Sequence, residues 1–265
     1  MSQAAASEAI VSSAAEILLA AEAARTTCPQ LTSRWPALDV ATAYAIQEET
    51  LRRRLARGER LIGIKLGLTS KAKQVQMNVS TPTLAWLTSA MRLEEGTLAP
   101  DVAAHPRAEP EIVFTMGRGL KGPGVTAKAA LSAVAEVRAG IELLDSRYAN
   151  FRFTLADVVA DNASSRGFIL GSMVLAPSAL DLVTEACVLR INGQVVAEAT
   201  GAAVLGDPAQ ALAWAANAMA ERGHAIEAGW VVMTGGLTDA VQVQPGAEIV
   251  ASFTHLGTVT IRRPV

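Results

Sequence analysis

The chain has 265 residues, of which 51% are hydrophobic and 4% aromatic, so it can bury a substantial core in one large domain or in a main domain with a smaller one. Its 23 basic and 25 acidic residues leave a formal net charge of -2, which gives no electrostatic reason to expect nucleic acid or an anionic membrane as a partner. The composition favours a protein that binds a small molecule.

Cysteine usage and the N-terminal composition bear on the compartment. Cys28 and Cys187 are far apart and neither belongs to a Cys-x-x-Cys pair, so we expect no disulfide framework and no thiolate metal site. Glutamates interrupt the Ala-rich start of the chain, which argues against a signal peptide. No apolar run approaches the roughly 20 residues that a bilayer-spanning helix needs. We expect a cytoplasmic protein.

The first part of the chain is predicted to be helical. Residues 3–25 show an Ala-rich helical pattern, and a second helix is predicted from Asp39, as its N-cap, to the Arg-rich turn before Gly58. Basic residues in that last turn complement the helix dipole. We expect residues 1–60 to form a small helical N-terminal cap and residues 61–265 to form a β-rich catalytic domain.

Strand patterns dominate after residue 60. A strand is predicted at 61–67, and Ser70 is a candidate cap for a short helix that carries Val75 and Met77. Further helices are predicted at 126–137, 155–159 and 207–223, the last with Asp at its N-cap and Pro at its first position. Further strands are predicted through Glu142 and at 167–175, 186–191, 194–197, 230–234, 248–253 and 258–262. Many strands with one long helix among them predict an α+β fold.

Two glutamates lie two residues apart in the stretch HPRAEPEIVF at 105–114. Because side chains alternate faces along a strand, Glu109 and Glu111 are predicted to point the same way. Two negative charges at such a short distance are unfavourable unless a cation or a proton lies between them. A hard divalent ion such as Mg²⁺ suits oxygen ligands. Glu142 could supply a third oxygen. The spacing leaves open an alternative in which both glutamates face solvent on an edge strand.

Several ordered motifs carry a resemblance to a known family: GIKLGLTS at 63–70, PRAEPEI at 106–112, DSR at 145–147, VADNAS at 159–164 and VMTGG at 232–236. From about residue 31 onward the chain resembles the hydratase/decarboxylase family of catechol meta-cleavage pathways, within the fumarylacetoacetate hydrolase superfamily. The resemblance implies a mixed β-roll catalytic domain with a helical cap. It also implies an Mg²⁺ or Mn²⁺ site formed by Glu109, Glu111 and Glu142.

The family contains 2-oxopent-4-enoate hydratases and 2-oxo-3-hexenedioate (4-oxalocrotonate) decarboxylases. DSRYANFRF at 145–153 is similar to the decarboxylase branch, because hydratases tend to carry Ile and Trp where Tyr148 and Phe151 stand. Thr83 stands where hydratases usually carry an Asp that is a proposed proton-transfer group. Two residues depart from the family pattern: Ala85 replaces a Gly, which we expect to reshape a loop near the pocket, and Asp207 replaces a His and can cap its helix.

The interpretation as a decarboxylase implies a mechanism in which the substrate is a 2-oxo dicarboxylate. The metal would chelate one carboxylate and the ketone oxygen, and loss of carbon dioxide from the far end would leave a dienolate that becomes 2-hydroxypenta-2,4-dienoate. Lys65, between Gly63 and Gly67, is the candidate catalytic residue that hydrogen-bonds the enolate or assists proton transfer. The alternative for Lys65 is a surface lysine with its stem packed on the strand.

Substrate-binding roles follow from the same resemblance. Ser164, Thr234 and Gly235 would supply hydroxyl and backbone donors for the substrate carboxylates. Asp161 and Asn162 are expected to hold their loop through side-chain-to-backbone bonds.

Charged side chains outside the glutamate cluster are weaker candidates. Arg147 could bind a substrate carboxylate bidentately, or it could form a salt bridge to Asp145 or Asp157. The scattered histidines, which are His105, His224 and His255, are expected to be structural.

Three alternatives to the metal-dependent decarboxylase remain open. They are a hydratase that acts on the decarboxylation product, a metal-free decarboxylase that forms a Schiff base at Lys65, and a non-catalytic subunit that supports a hydratase. For partners, we expect a small-molecule substrate, a homo-oligomer and a complex with a hydratase of the pathway.

Overall fold

The computed structural model describes residues 3–70, 74–75 and 79–265. Residues 74 and 75 are helical, and the Gln74 N–H donates a hydrogen bond to the Ser70 carbonyl at 3.0 Å. The predicted short helix agrees with these residues, whereas Met77 lies outside the described residues. None of the described helices combines the length and the apolar character that crossing a membrane requires.

The N-terminal part of the chain is helical, as predicted. The helices are α1 Gln3–Ala24, α2 Leu31–Arg34, α3 Val40–Ala56, α4 Ala127–Leu131, α5 Leu155–Ala160 and α6 Pro208–Glu221. The Asp39 carboxylate accepts a hydrogen bond from the Thr42 N–H at 2.8 Å, which confirms the predicted N-cap of α3. Leu18 of α1 and Ile46 of α3 share a core with Val159 of α5. This core joins the helical part to the rest of the chain, and the domain boundary after residue 60 stays a prediction.

The described residues form a seven-stranded sheet, which we call the main sheet. Its order is β2 Thr83–Thr88, β1 Leu61–Gly67, β9 Val231–Met233, β4 Arg107–Met116, β5 Val134–Leu144 and β6 Ser165–Leu170, with β10 Val241–Gln242 also paired to β4. β1 and β9 are parallel, and the other pairs in this sheet are antiparallel. β4 is buried along nearly its whole length, so it lies at the centre of the fold.

A five-stranded second sheet is also present among the described residues. Its order is β3 Gly96–Thr97, β12 Thr258–Arg262, β11 Glu248–Phe253, β7 Ala186–Ile191 and β8 Gln194–Thr200. Ile112 and Ile141 of the main sheet share one core with Leu189 and Ile261 of the second sheet. α6 contributes Leu212 to the same core, so the mixed α+β architecture predicted from sequence is confirmed.

Two predicted elements differ from the structure. The helix predicted at 126–137 is wrong in its second half, because α4 ends at Leu131 and β5 begins at Val134. Residues 134–144 pair with β4 along almost their full length, so tertiary pairing decides their conformation. The strand predicted at 167–175 is shifted to β6 and ends at Leu170. The sequence analysis did not predict β2, β3, β10 or α2.

Candidate metal centre and active-site cavity

Glu109, Glu111 and Glu142 meet where β4 pairs with β5. The register places Glu109 opposite Glu142 and Glu111 opposite Gly140, so the three side chains project from one face of the sheet. One carboxylate oxygen of each residue lies within 4.8 Å of those of the other two. The glutamates are 8%, 0% and 0% exposed, respectively. The predicted common face of Glu109 and Glu111 is confirmed, and the alternative in which they face solvent is wrong.

Pro110 separates the two glutamates without disturbing the sheet. β10 pairs with β4 up to Ala108, and β9 pairs with it from Val113 onward, so Pro110 lies between these two neighbours. Its carbonyl accepts a hydrogen bond from the Leu237 N–H at 2.9 Å. The missing N–H of Pro110 therefore removes no bond between paired strands.

Two of the three carboxylates each accept a hydrogen bond from the protein through one of their oxygens. Glu111 Oε2 accepts a hydrogen bond from the Gly235 N–H at 2.7 Å, and Glu142 Oε2 accepts one from Lys65 Nζ at 3.1 Å. Among the described residues, the buried Oε1 atoms of Glu111 and Glu142 have no hydrogen-bond partner. Buried oxygens without partners are costly, so these two atoms are available as ligands for a cation.

The electrostatics of the cluster also fit a divalent cation. Burial is the main cause that raises the pKa of Glu111 well above 4.5, the charge of Glu142 adds to it, and Lys65 opposes it. Burial likewise raises the pKa of Glu142, and Lys65 again opposes the shift. The combined negative charge of the three buried carboxylates is larger than the single positive charge of the Lys65 ammonium group. The donor set is all oxygen and carries excess negative charge, which fits Mg²⁺ or Mn²⁺.

Lys65 is a buried residue of β1. It is 3% exposed, so the alternative of a surface lysine is wrong. Its neighbours in the sheet are Ala85 and Met233. At Gly67, an added Cβ would lie 2.7 Å from Thr83 Oγ1 and 3.9 Å from Lys65 Nζ, so the absence of a side chain there keeps the space around the ammonium open.

A cavity of about 690 Å³ opens beside the glutamate cluster. Lys65 and Glu109 line it beside the cluster, and Ser164 is another of its polar lining residues. Apolar side chains line much of the remainder, among them Leu144, Phe151, Phe153 and Val158. A concave site that combines apolar walls with a few polar groups is typical of a small-molecule site.

The predicted substrate-binding residues Ser164, Thr234 and Gly235 make different contacts in the structure. Ser164 lines the cavity, and its hydroxyl donates a hydrogen bond to Asp161 Oδ2 at 3.2 Å. The Thr234 hydroxyl donates to the Ile112 carbonyl at 2.8 Å, and the Gly235 N–H donates to Glu111. These contacts give Thr234 and Gly235 a part in holding β4 and its carboxylate.

Arg147 is bound within the protein rather than facing the cavity. Its guanidinium forms an ion pair with Asp161 and also donates to the Ser165 carbonyl at 3.2 Å. The two expected ion-pair partners, Asp145 and Asp157, are therefore wrong. Asp145 instead accepts hydrogen bonds from the N–H groups of residues 104 and 105. Burial raises the pKa of Asp161 to about 6 although Arg147 opposes the shift.

The loop that contains Ser164 is braced from both sides. Asp161 Oδ2 accepts a hydrogen bond from the Arg147 N–H at 3.1 Å, and the Asn162 side-chain amide exchanges two hydrogen bonds of 2.9 Å with the backbone of Trp86. The expected role of Asp161 and Asn162 is confirmed. Asn162, Ala163 and Ser164 all have positive φ angles, which are unusual for residues other than glycine. Strained backbone of this kind is frequent at functional sites.

The two departures from the family pattern have structural explanations. Ala85 lies in strand β2 and is 1% exposed, so the expectation that it reshapes a loop is wrong. Asp207 accepts a hydrogen bond from the Ala209 N–H at 2.8 Å and caps α6, as predicted. The histidines stand outside the glutamate cluster, and each makes a local contact: His105 with Ser146, His224 with Glu48 and His255 with Glu185.

The sequence analysis assigned no role to Arg107, which also lines the cavity. Arg107 precedes Glu109 by two residues in β4, so the alternation that groups Glu109 with Glu111 also places Arg107 on their face. The same spacing could have identified it.

The family model described as fumarylacetoacetate (FAA) hydrolase C-terminal matches residues 60–262. The chain belongs to the fumarylacetoacetate hydrolase family, and the predicted fold type is confirmed.

The most informative relatives are decarboxylases and hydratases. The chain is 43% identical over 235 residues to 4-oxalocrotonate decarboxylase of Pseudomonas sp. (strain CF600), which covers 88% of this chain and 89% of the relative. It is 39% identical over 246 residues to 2-hydroxyhexa-2,4-dienoate hydratase of Comamonas testosteroni, which covers 92% and 93%. A solved structure of 4-oxalocrotonate decarboxylase from Pseudomonas putida G7, complexed with magnesium and adipate, superposes with a TM-score of 0.92 at 40% identity and covers 95% of this chain and 96% of that one.

Proposed function

We propose that the protein is a metal-dependent carboxy-lyase that converts 2-oxo-3-hexenedioate to 2-hydroxypenta-2,4-dienoate and carbon dioxide in catechol meta-cleavage. The observation that carries the proposal is the meeting of three buried carboxylates and Lys65 at one end of a cavity. The similarity to decarboxylases, one of them solved with magnesium and a six-carbon dicarboxylate, supports the same reaction and Mg²⁺, or Mn²⁺ in its place, as the cofactor.

Glu109, Glu111 and Glu142 are the proposed metal ligands. A divalent cation bound there supplies Lewis-acid stabilisation of negative charge on the ketone oxygen of the substrate. The Gly235 N–H and Lys65 each hold one carboxylate in place, which orients the remaining oxygens.

The reaction moves one electron pair and takes up one proton. The bond between the far carboxyl carbon and its neighbour breaks, and its electron pair moves through the alkene to the ketone oxygen as carbon dioxide leaves. A proton on that oxygen completes the dienol. We assign Lys65 to donate a hydrogen bond to this oxygen, because its buried ammonium lines the same end of the cavity as Glu109.

The remaining residues of the cavity bind and enclose the substrate. Ser164 lines the cavity, and it is proposed to turn its single hydroxyl donor from Asp161 to a substrate carboxylate when substrate binds. Leu144, Phe153 and Val158 would exclude water from the carbon chain. Arg147 is assigned a supporting role through Asp161, which holds the Ser164 loop.

The proposal includes the setting of the enzyme. We propose that it works in the cytoplasm as a homo-oligomer and associates with a pathway hydratase, which would receive the unstable dienol directly. Cys28 and Cys187 are both free thiols, which suits a reducing compartment.

A hydratase is the second candidate function, because hydratases are also among the relatives of this chain. The Mg²⁺-loaded protein is given the six-carbon diacid and, separately, the five-carbon dienol. Release of carbon dioxide from the diacid is the expected result, whereas hydration of the dienol without carbon dioxide release would establish the hydratase.

The same assay separates the remaining alternatives. Activity that resists chelators and a lysine adduct trapped by borohydride would establish Schiff-base chemistry at Lys65. Failure on both compounds, with stimulation of an added hydratase, would establish a non-catalytic subunit.

A further inference from the structure

We infer that Arg107 makes the site selective for dicarboxylates, by binding the carboxylate at the end of the substrate that lies farther from the glutamate cluster. The inference rests on the proposed function, because it takes the oxo-acid end to lie at Glu109, Glu111 and Glu142. It names a specificity-determining residue.

The position of Arg107 along β4 fits the length of the substrate. Arg107 lies opposite Leu144, whereas Glu109 lies opposite Glu142. Arg107 is therefore two residues from Glu109 along β4, on the same face of the sheet. Two residues of a strand span about 7 Å. This separation is comparable to the length of a six-carbon diacid whose first two carbons lie at the cluster.

The guanidinium of Arg107 is oriented but incompletely bonded. Its central carbon lies 4.0 Å from the ring centroid of Phe151, so one face of the guanidinium is stacked. Among the described residues, its buried Nε has no hydrogen-bond partner. Stacking leaves the N–H edge of the guanidinium available, and this edge matches the two oxygens of a carboxylate.

Phe151 is held under Arg107 by an unusual turn. Asn150 and Phe151 have φ angles of 58° and 55°, a region that bulky residues rarely occupy. The ring of Phe151 also lies 4.8 Å from that of His105. A strained turn persists only when the surrounding structure imposes it, and here it fixes the partner of a cavity arginine.

The charged residues that line the cavity include Lys65, Arg107, Glu109, Arg152 and Asp239. Glu109 belongs to the glutamate cluster, and Lys65 contacts the cluster through Glu142. Arg152 and Asp239 are exposed, whereas Arg107 is partly buried. Because a less hydrated guanidinium interacts more strongly with a carboxylate, Arg107 is the better anchor. The control is Arg57, an exposed arginine at the end of α3 that does not line this cavity.

The binding test compares two unreactive ligands of equal length. 2-Oxohexanedioate and 2-oxohexanoate share the oxo-acid end, and only the first has a second carboxylate. Calorimetry on the Mg²⁺-loaded protein is expected to show a preference for the diacid. Arg107→Met should weaken diacid binding about 10- to 100-fold and leave monoacid binding nearly unchanged, since one charge-assisted interaction is lost. Arg57→Met should leave both affinities nearly unchanged.

Kinetics give an independent measure of the same interaction. The far carboxylate loses its charge as carbon dioxide forms, so the ion pair is stronger with bound substrate than in the transition state. Arg107→Met should therefore raise KM about 10- to 100-fold without lowering kcat. Arg107→Lys keeps the charge without the planar fork, and it should fall between the wild type and Arg107→Met in both measurements.

The outcomes separate the inference from the proposed function. Equal weakening of diacid and monoacid binding in Arg107→Met would place Arg107 at the oxo-acid end and overturn the inference, as would no weakening of either. A wild-type protein that releases carbon dioxide from the diacid but lacks the diacid preference would keep the proposed function and overturn the inference. A wild-type protein that prefers the diacid but releases no carbon dioxide would refute the proposed function alone.

Discussion

Lys65 Nζ lies 3.1 Å from Glu142 Oε2, and the two side chains are 3% and 1% exposed. The contact joins β1 to β5 and links the proposed hydrogen-bond donor to a proposed metal ligand. Removing one partner of a buried ion pair leaves the other charge without water or counterion. The pair therefore serves stability and the proposed chemistry together.

Lys65→Met is expected to abolish turnover while the folded protein still binds Mg²⁺, because the carboxylates remain and the donor is lost. Without metal, the variant should lose about 3 kcal/mol or more of unfolding free energy, since Glu142 is left unpaired. Turnover, calorimetric Mg²⁺ binding and denaturant unfolding measure the three effects. The control is Lys128→Met at the exposed start of α4. Full turnover of Lys65→Met would remove Lys65 from the mechanism.

The stability of the metal-free protein is expected to fall as pH rises. The folded-state pKa of Glu111 lies well above 4.5, so its protonated form favours folding at low pH, and that contribution is lost as pH rises through the folded-state pKa. The melting temperature should therefore drop as pH rises above the ordinary range of a glutamate, and Mg²⁺ should restore it most at the higher pH.

Glu111→Gln tests the cause of this pH dependence. The variant should flatten the pH profile of the metal-free protein and remove most of the Mg²⁺-dependent stabilisation, because the amide carries no charge. Glu198→Gln on the exposed face of β8 is the matched control and should retain both effects. A Glu111→Gln protein that gains as much stability from Mg²⁺ as the wild type would contradict the assignment of Glu111 as a ligand.

Arg147→Met is expected to reduce the free energy of unfolding by about 3–5 kcal/mol, since it leaves Asp161 buried without its partner. Arg138→Met breaks a more exposed pair with Glu136 and should cost about 1 kcal/mol or less. Urea unfolding compares the two variants. Normal stability combined with a large loss of substrate affinity would instead indicate that Arg147 binds substrate directly.

Asp207→Ala is expected to cost about 1 kcal/mol of stability, because α6 loses the side chain that caps its N-terminus. Asp207→Asn preserves a capping oxygen and should lose little. Carbon dioxide release at a temperature well below unfolding should be the same for both variants. A selective loss of activity in Asp207→Ala would give Asp207 a part in the reaction.

Sequence patterns predicted local elements better than contacts between distant segments. The bounds of β7, β11 and β12 follow from short runs between turns and agree with the structure. The helix predicted at 126–137 failed because helical and strand patterns are hard to separate in a short Ala- and Val-rich run, and pairing with β4 makes residues 134–144 a strand.

In the candidate site, too, local patterns were predicted better than contacts between distant segments. The shared face of Glu109 and Glu111 follows from strand alternation, and Arg107 obeys the same rule. The residues alone offer Glu142 only as a candidate for the third oxygen, and the family resemblance implies its place in the site, because no spacing rule relates it to β4. The Arg147–Asp161 pair joins two loop segments whose approach depends on tertiary packing, so spacing suggested the wrong partners.

The most direct test is carbon dioxide release from 2-oxo-3-hexenedioate by metal-stripped protein, with and without added Mg²⁺. Release only after Mg²⁺ is added, and its loss in Glu109→Gln, Glu111→Gln and Glu142→Gln, is the predicted result. Release at the full rate without Mg²⁺, or in all three variants, would contradict a metal-dependent decarboxylase centred on these glutamates.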